Sequence, residues 1–165
     1  MALQSKLTVY AAIAGVFALM GGIIFYASLD NVELEQVEIE LTNVELINVN
    51  TAGDQAKFEV TFLIANPSDK TLTVSVIDYQ LYGDDMLLGS GLYSTADVAL
   101  PGRALFYSGA EIPLKNTFVL DRDDVSPEIY EKAVNEKIDD FKSEGRITTQ
   151  TSWSEVDKDF KTSYN

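Results

Sequence analysis

The chain of 165 residues contains no cysteine and no histidine. Disulfides, Cys/His zinc sites, haem ligation by histidine and Ser-His or Cys-His nucleophile pairs are therefore all excluded. Positive charge is also scarce, with 12 Lys+Arg against 26 Asp+Glu and a net charge of −14. All the acids follow Leu29, whereas Lys6 precedes it, so the part after Leu29 carries −15. A charge of that sign repels nucleic acid and anionic lipid headgroups. It reads as a soluble, self-repelling surface rather than an acidic ligand-binding face. No phosphate loop or dinucleotide motif occurs, and the one Asn-x-Ser/Thr sequence, Asn66-Pro67-Ser68, has the proline that blocks glycosylation.

What is present begins with an uncharged run from Leu7 to Leu29. As a helix it would span roughly 34 Å at ~1.5 Å per residue, enough for a hydrocarbon core of about 30 Å. Its end, Phe25-Tyr26-Ala27-Ser28-Leu29-Asp30, offers no small-x-small cleavage site, because Tyr26 or Leu29 falls at a critical position. The run is expected to be an uncleaved signal anchor, a single-pass helix over residues 1–29. Lys6 lies before it, whereas Asp30, Glu33, Glu35, Glu38 and Glu40 follow with no base until Lys57. Basic flanks stay in the cytoplasm, so the C-terminal body is expected outside the cell membrane. Within the run, Ala14, Ala18 and Gly22, with Ala11 and Gly15, repeat at four-residue spacing, which lets helices approach closely. These five are the candidate helix-packing residues. The expected partners are membrane lipid and transmembrane helices of other subunits.

Beyond an expected linker at 30–36, the chain reads as one β domain over 37–155 and a polar tail, probed only by Phe160, over 156–165. Val37, Ile39 and Leu41 alternate with Glu38 and Glu40, and the adjacent Leu46-Ile47 indicates a bulge. Phe58, Val60, Phe62 and Ile64 form the clearest strand, ended by Asn66-Pro67. Leu72 to Leu81 reads as a third strand, and Tyr82-Gly83-Asp84-Asp85 as a hairpin turn into Met86–Gly89. Further β segments are expected at 92–98, 104–112, 114–120 and 147–153, with breaks at Leu100-Pro101-Gly102 and Pro113. One helix is expected, with Ser126 as N-cap, Pro127 in the first turn, an apolar stripe of Ile129, Tyr130, Ala133, Val134, Ile138 and Phe141, and Gly145 as the stop. Regular short strands with turn signals favour an antiparallel β-sandwich.

The strand ending in Asn66-Pro67 is followed by Tyr79-x-Leu81-Tyr82-Gly83, Gly89 and Gly91, then by Leu100-Pro101-Gly102 and Ile112-Pro113-Leu114. With the late helix before a last strand, this stretch, about residues 36–155, resembles the late-embryogenesis-abundant (LEA) type 2 family, also called the WHy domain (water stress and hypersensitive response). The resemblance implies an immunoglobulin-like β-sandwich with a non-catalytic role in water or osmotic stress. Membrane-anchored, acidic versions look like those of archaea.

Several acidic groups were weighed as sites. Asp121, Asp123 and Asp124 have oxygen-ligand spacing for Ca²⁺ but lack the Gly and distal Glu of a calcium loop, so they read as a solvated helix entry. Asp84-Asp85 reads as a turn and Asp139-Asp140 as a polar helix face. Trp153 and Tyr164 read as core residues rather than a stacking platform. No catalytic, cofactor or metal residues are expected, and no small-molecule substrate. The alternatives to a stress-related domain are a structural accessory subunit of a membrane complex, docking through its helix, and a pilin-like subunit. A pilin lacks support because Ser5-Lys6-Leu7 has no small residue between the base and the apolar run.

Overall fold

The charge-free run becomes one continuous helix. A computed structural model describes residues 2–96 and 104–165, and in it helix α1 spans Ala2–Leu34. No proline interrupts the helix, and it continues past the apolar run into Asn31-Val32-Glu33-Leu34. The interval expected to be a linker is therefore mostly helical, and Leu34 and Val37 are already fully buried.

Seven strands follow: β1 (Glu38–Asn50), β2 (Gln55–Ala65), β3 (Thr73–Gly83), β4 (Met86–Ser94), β5 (Glu111–Asp121), β6 (Phe141–Gln150) and β7 (Glu155–Tyr164). Helix α2 (Pro127–Val134) precedes β6. The strands form two antiparallel sheets, ordered β1-β2-β5 and β4-β3-β6-β7. This is the mainly β sandwich with one late helix that the sequence led us to expect.

β2 is the centre of its sheet, and Phe58, Val60, Phe62 and Ile64 all face the core, as their alternation requires. Phe62 meets Tyr79 edge-on at 5.0 Å between ring centroids and Phe160 at 5.8 Å. β1 is a single long strand with register shifts at Thr42 and Ile47, the second at the expected bulge. The β3–β4 turn uses Asp84 and Asp85, both at positive φ (49° and 64°), as a two-residue hairpin of this handedness needs.

Other elements differ from expectation. The segments expected at Met86–Gly89 and from Leu92 are one strand, β4; the expected continuation to Val98 and the Leu100-Pro101-Gly102 break lie outside the described residues. Between Ala104 and Ala110 only Phe106 pairs, with Leu72. Pro113 does not break β5: among the described residues that strand pairs with β2 alone, and an edge strand tolerates a residue without an N–H. α2 ends at Val134, because Asn135 caps it and Glu136 takes φ 55°. Ile138 and Phe141 pack on the core from the following segment instead. Gly145 is no helix stop. It lies inside β6 opposite Tyr79, where a Cβ would come within 2.1 Å of the Asp78 carbonyl oxygen. The expected tail is β7, whose Val156, Phe160 and Tyr164 pack against the core.

Candidate functional site

Between Lys6 and Tyr26, α1 is long and apolar enough to cross a membrane, and none of that stretch is buried against the sandwich. At 100° per residue, Ala11, Ala14, Gly15, Ala18 and Gly22 fall within an arc of about 100°. A Cβ added at Gly15 or Gly22 would meet nothing within 4 Å. The small-residue face is thus exposed as a unit, and nothing in the sandwich covers it.

The far end of the same helix contacts the sandwich. The Leu34 carbonyl, otherwise an orphan of the last turn, accepts from the Thr149 hydroxyl at 3.5 Å and from the Val37 amide at 3.5 Å. Lys158 Nζ donates to the Val37 carbonyl at 2.6 Å, and the Leu41 amide donates to the Thr162 hydroxyl at 3.0 Å. These links tie the helix exit and the first residues of β1 to β6 and β7. They also explain why β7 carries a lysine at an inward-facing register position: its ammonium reaches the Val37 backbone oxygen.

The helix enters at the end of the sandwich that carries the β2–β3 loop and the β6–β7 turn. There Asn66, almost fully buried, organises the loop. Its Nδ2 donates to the carbonyls of Lys70, Phe106 and Tyr107 at 2.7, 2.9 and 3.1 Å, and its Oδ1 accepts from the Ser68 hydroxyl and amide. Its backbone exchanges bonds with Ala110 and Gly109. The Asn-Pro pair is thus a structural clasp. Tyr79 has a similar status: Asn116 Nδ2 donates to its hydroxyl at 3.1 Å across the sandwich, and Gly91 makes room for its ring. Burial raises the Tyr79 pKa above its ordinary value, with the Asn116 bond opposing.

The acidic clusters serve turns and pairs. Gln55 Nε2 donates to Asp121 at 2.6 Å, and Arg122 pairs with Asp54 at 3.4 Å. Asp84 accepts from Lys132 and from the Asp139 amide, both at 3.1 Å, which holds α2 against the β3–β4 turn and lowers the Asp84 pKa. Lys142 bridges Asp85 at 2.6 Å and Asp140 at 2.9 Å, and these bonds raise its pKa. Among the described residues, no three acidic side chains are grouped to hold a metal. A depression of about 410 Å³ over Gly145 is open and polar, lined by Asp78, Arg146 and Asp159. A smaller one of about 190 Å³ lies between β1 and the α2–β6 segment, lined by Leu46, Ile138 and Tyr164.

Trp153, read from sequence as a core residue, is 84% exposed in the β6–β7 turn. The turn itself explains this. Thr151 Oγ1 accepts from the amides of Trp153 and Ser154, and the Thr151 amide donates to the Ser154 carbonyl at 2.8 Å. The closed turn points the indole away from the sheet. Sequence spacing alone carried no sign of this, because Trp and Thr suit strands as well as turns.

Together these features define an antiparallel β-sandwich joined to an exposed apolar helix. No family model matches the chain, and no curated protein does. Solved structures are similar to it. A protein from Arabidopsis thaliana matches with a TM-score of 0.52 at 13% identity, over 77% of this chain and 78% of that one. A protein from Archaeoglobus fulgidus matches at 0.46 and 12% identity, over 79% and 95%. A protein provisionally assigned as late embryogenesis abundant (LEA) matches at 0.42 and 12% identity, over 92% and 86%. At 13% identity the likeness to the Arabidopsis thaliana protein is one of fold.

Proposed function

We propose that this chain is a non-catalytic, membrane-anchored domain that displays an acidic β-sandwich outside the cell membrane, with a role in water or osmotic stress. One observation carries the anchoring: an unburied apolar helix runs without a break into the sandwich core, where Leu34 and Val37 are buried. The end of the run, Phe25-Tyr26-Ala27-Ser28-Leu29-Asp30, offers no small-x-small site of the kind a removable leader needs. The outward orientation follows from Lys6 before the span and the acids after it. The stress role rests on the resemblance to the WHy domain. The non-catalytic reading is supported by the absence of histidine and cysteine and by the structural use of the Asp84, Asp85, Asp121 and Asp140 carboxylates.

The test is membrane fractionation with protease added to intact cells. The chain should resist carbonate extraction and lose its body to external protease. Release by carbonate, or protection until lysis, would overturn the reading. A second reading, an accessory subunit of a membrane complex, is favoured by the uncovered small-residue face of α1. Stoichiometric integral proteins that co-purify in mild detergent, and that are lost on Gly15→Leu with Gly22→Leu, would support it.

A further inference from the structure

We propose that the β6–β7 turn seats Trp153 in the headgroup layer of the membrane that α1 crosses, so that the sandwich stands on the bilayer through both helix and indole. The inference rests on the reading of α1 as an anchor.

The height of the sandwich above the membrane is set by the helix, because no flexible linker intervenes. Leu34 lies about 7.5 Å past Leu29 at ~1.5 Å per residue. The polar layer on each side of a bilayer is about 5–8 Å thick, half the difference between ~40–45 Å in all and ~30 Å of hydrocarbon. Counted from Leu29, Leu34 sits at the outer boundary of that layer; counted from Tyr26, where the apolar span ends, it lies about 12 Å out, and tilt of the helix brings it nearer. Thr149 touches Leu34, and the chain beyond Thr149 forms the turn at the end of the sandwich where the helix enters. That end also carries exposed Tyr107 and Leu105 beside the Phe106–Leu72 bridge, next to the Thr73–Gln150 pair.

An exposed indole is costly in water and favoured at the headgroup level, where its apolar ring is covered and its N–H finds a partner. The rigid turn presents it at little entropic cost. Glu35, Glu38 and Glu155, exposed at the same end, oppose deeper sinking. They also make the contact sensitive to lipid charge.

Trp153 is the chain's one tryptophan, so its emission reports this contact alone. The full chain would be reconstituted in phosphatidylcholine vesicles at high lipid excess. Expected are blue-shifted emission, several-fold weaker acrylamide quenching than in the urea-unfolded chain, and strongest quenching by lipids brominated near the headgroup end of the acyl chain. Added phosphatidylglycerol should weaken all three. Trp153→Ala should float with vesicles as the parent does. If the parent floats but its emission stays that of a water-exposed indole, this proposal fails and the anchor reading stands. If the chain does not float, both fail. A blue shift that tracks protein density and not bromolipid would place the indole against a second copy and overturn the proposal.

Discussion

Leu34→Ala probes the joint between helix and sandwich. Leu34 is fully buried although Ser28 and Val32 before it on the helix are exposed, and its carbonyl lies 3.5 Å from the Thr149 hydroxyl. Truncating a buried leucine costs roughly 2–5 kcal/mol, from lost transfer energy plus the cavity left behind. Val32, two residues earlier on the same helix, is 60% exposed. Val32→Ala should stay within about 0.5 kcal/mol, as surface changes do. In urea, with a slope of about 2 kcal/mol per molar for a domain of this size, a loss of ~3 kcal/mol lowers the midpoint by about 1.5 M. The control should move it by about 0.25 M or less. The measurement is urea unfolding of the body from Asp30 onward, followed by far-UV circular dichroism. Equal midpoints for the two variants would refute the reasoning, because the last turn would then add nothing to the core.

Phe62→Ala should destabilise by ~3–5 kcal/mol, since it empties a core site and breaks two edge-on aromatic contacts, whereas Glu59→Ala removes only a solvent-screened pair with Lys115 and should change little. Thermal melts of the two should separate widely, and coincidence would place Phe62 outside the core. Asn66→Ala leaves three carbonyls without their side-chain donor, and at ~1–3 kcal/mol for an unsatisfied buried group it should cost more than Ser68→Ala; the reverse order in melting temperature would remove Asn66 as the clasp. The Asp84 pKa lies below its ordinary 3.8 because Lys132 and the Asp139 amide bind the charged form. A depressed folded-state pKa adds stability above the unfolded value, which is lost as pH falls through the folded one. Stability should therefore drop below about pH 4, and less steeply in Asp84→Asn; identical acid limbs would show that the interaction is idle.

The sequence carried the fold where apolar and polar residues alternate plainly, as in β2, and where turn chemistry is explicit, as at Asp84-Asp85. It concealed β7 because Asp157, Asp159 and Lys161 on its outer face, and Lys158 turned inward to Val37, make the segment read as a polar tail. α2 was read too long because Ile138 and Phe141 repeat at helical spacing by coincidence, although both reach the core from extended chain. The apolar helix was legible from composition and length, but its joint with the sandwich was not. Leu34 stands alone between glutamates, and only the folded sheet provides the surface that buries it. Trp153 was misread for a related reason: its exposure is imposed by hydrogen bonds to the Thr151 hydroxyl, which no periodicity reveals.

The account turns on α1 and the sandwich moving as one body. The chain has no native cysteine, so cysteines placed at exposed Ser28 and Ser90 can be spin-labelled uniquely, and their separation measured by double electron–electron resonance with the chain in bilayers. Continuity through Leu34 predicts one distance with a spread of a few ångströms, set by the labels. A flexible seven-residue linker over 30–36 would let the ends wander over about 15 Å. A distribution that broad would contradict the rigid joint, and with it a fixed height of the sandwich above the membrane.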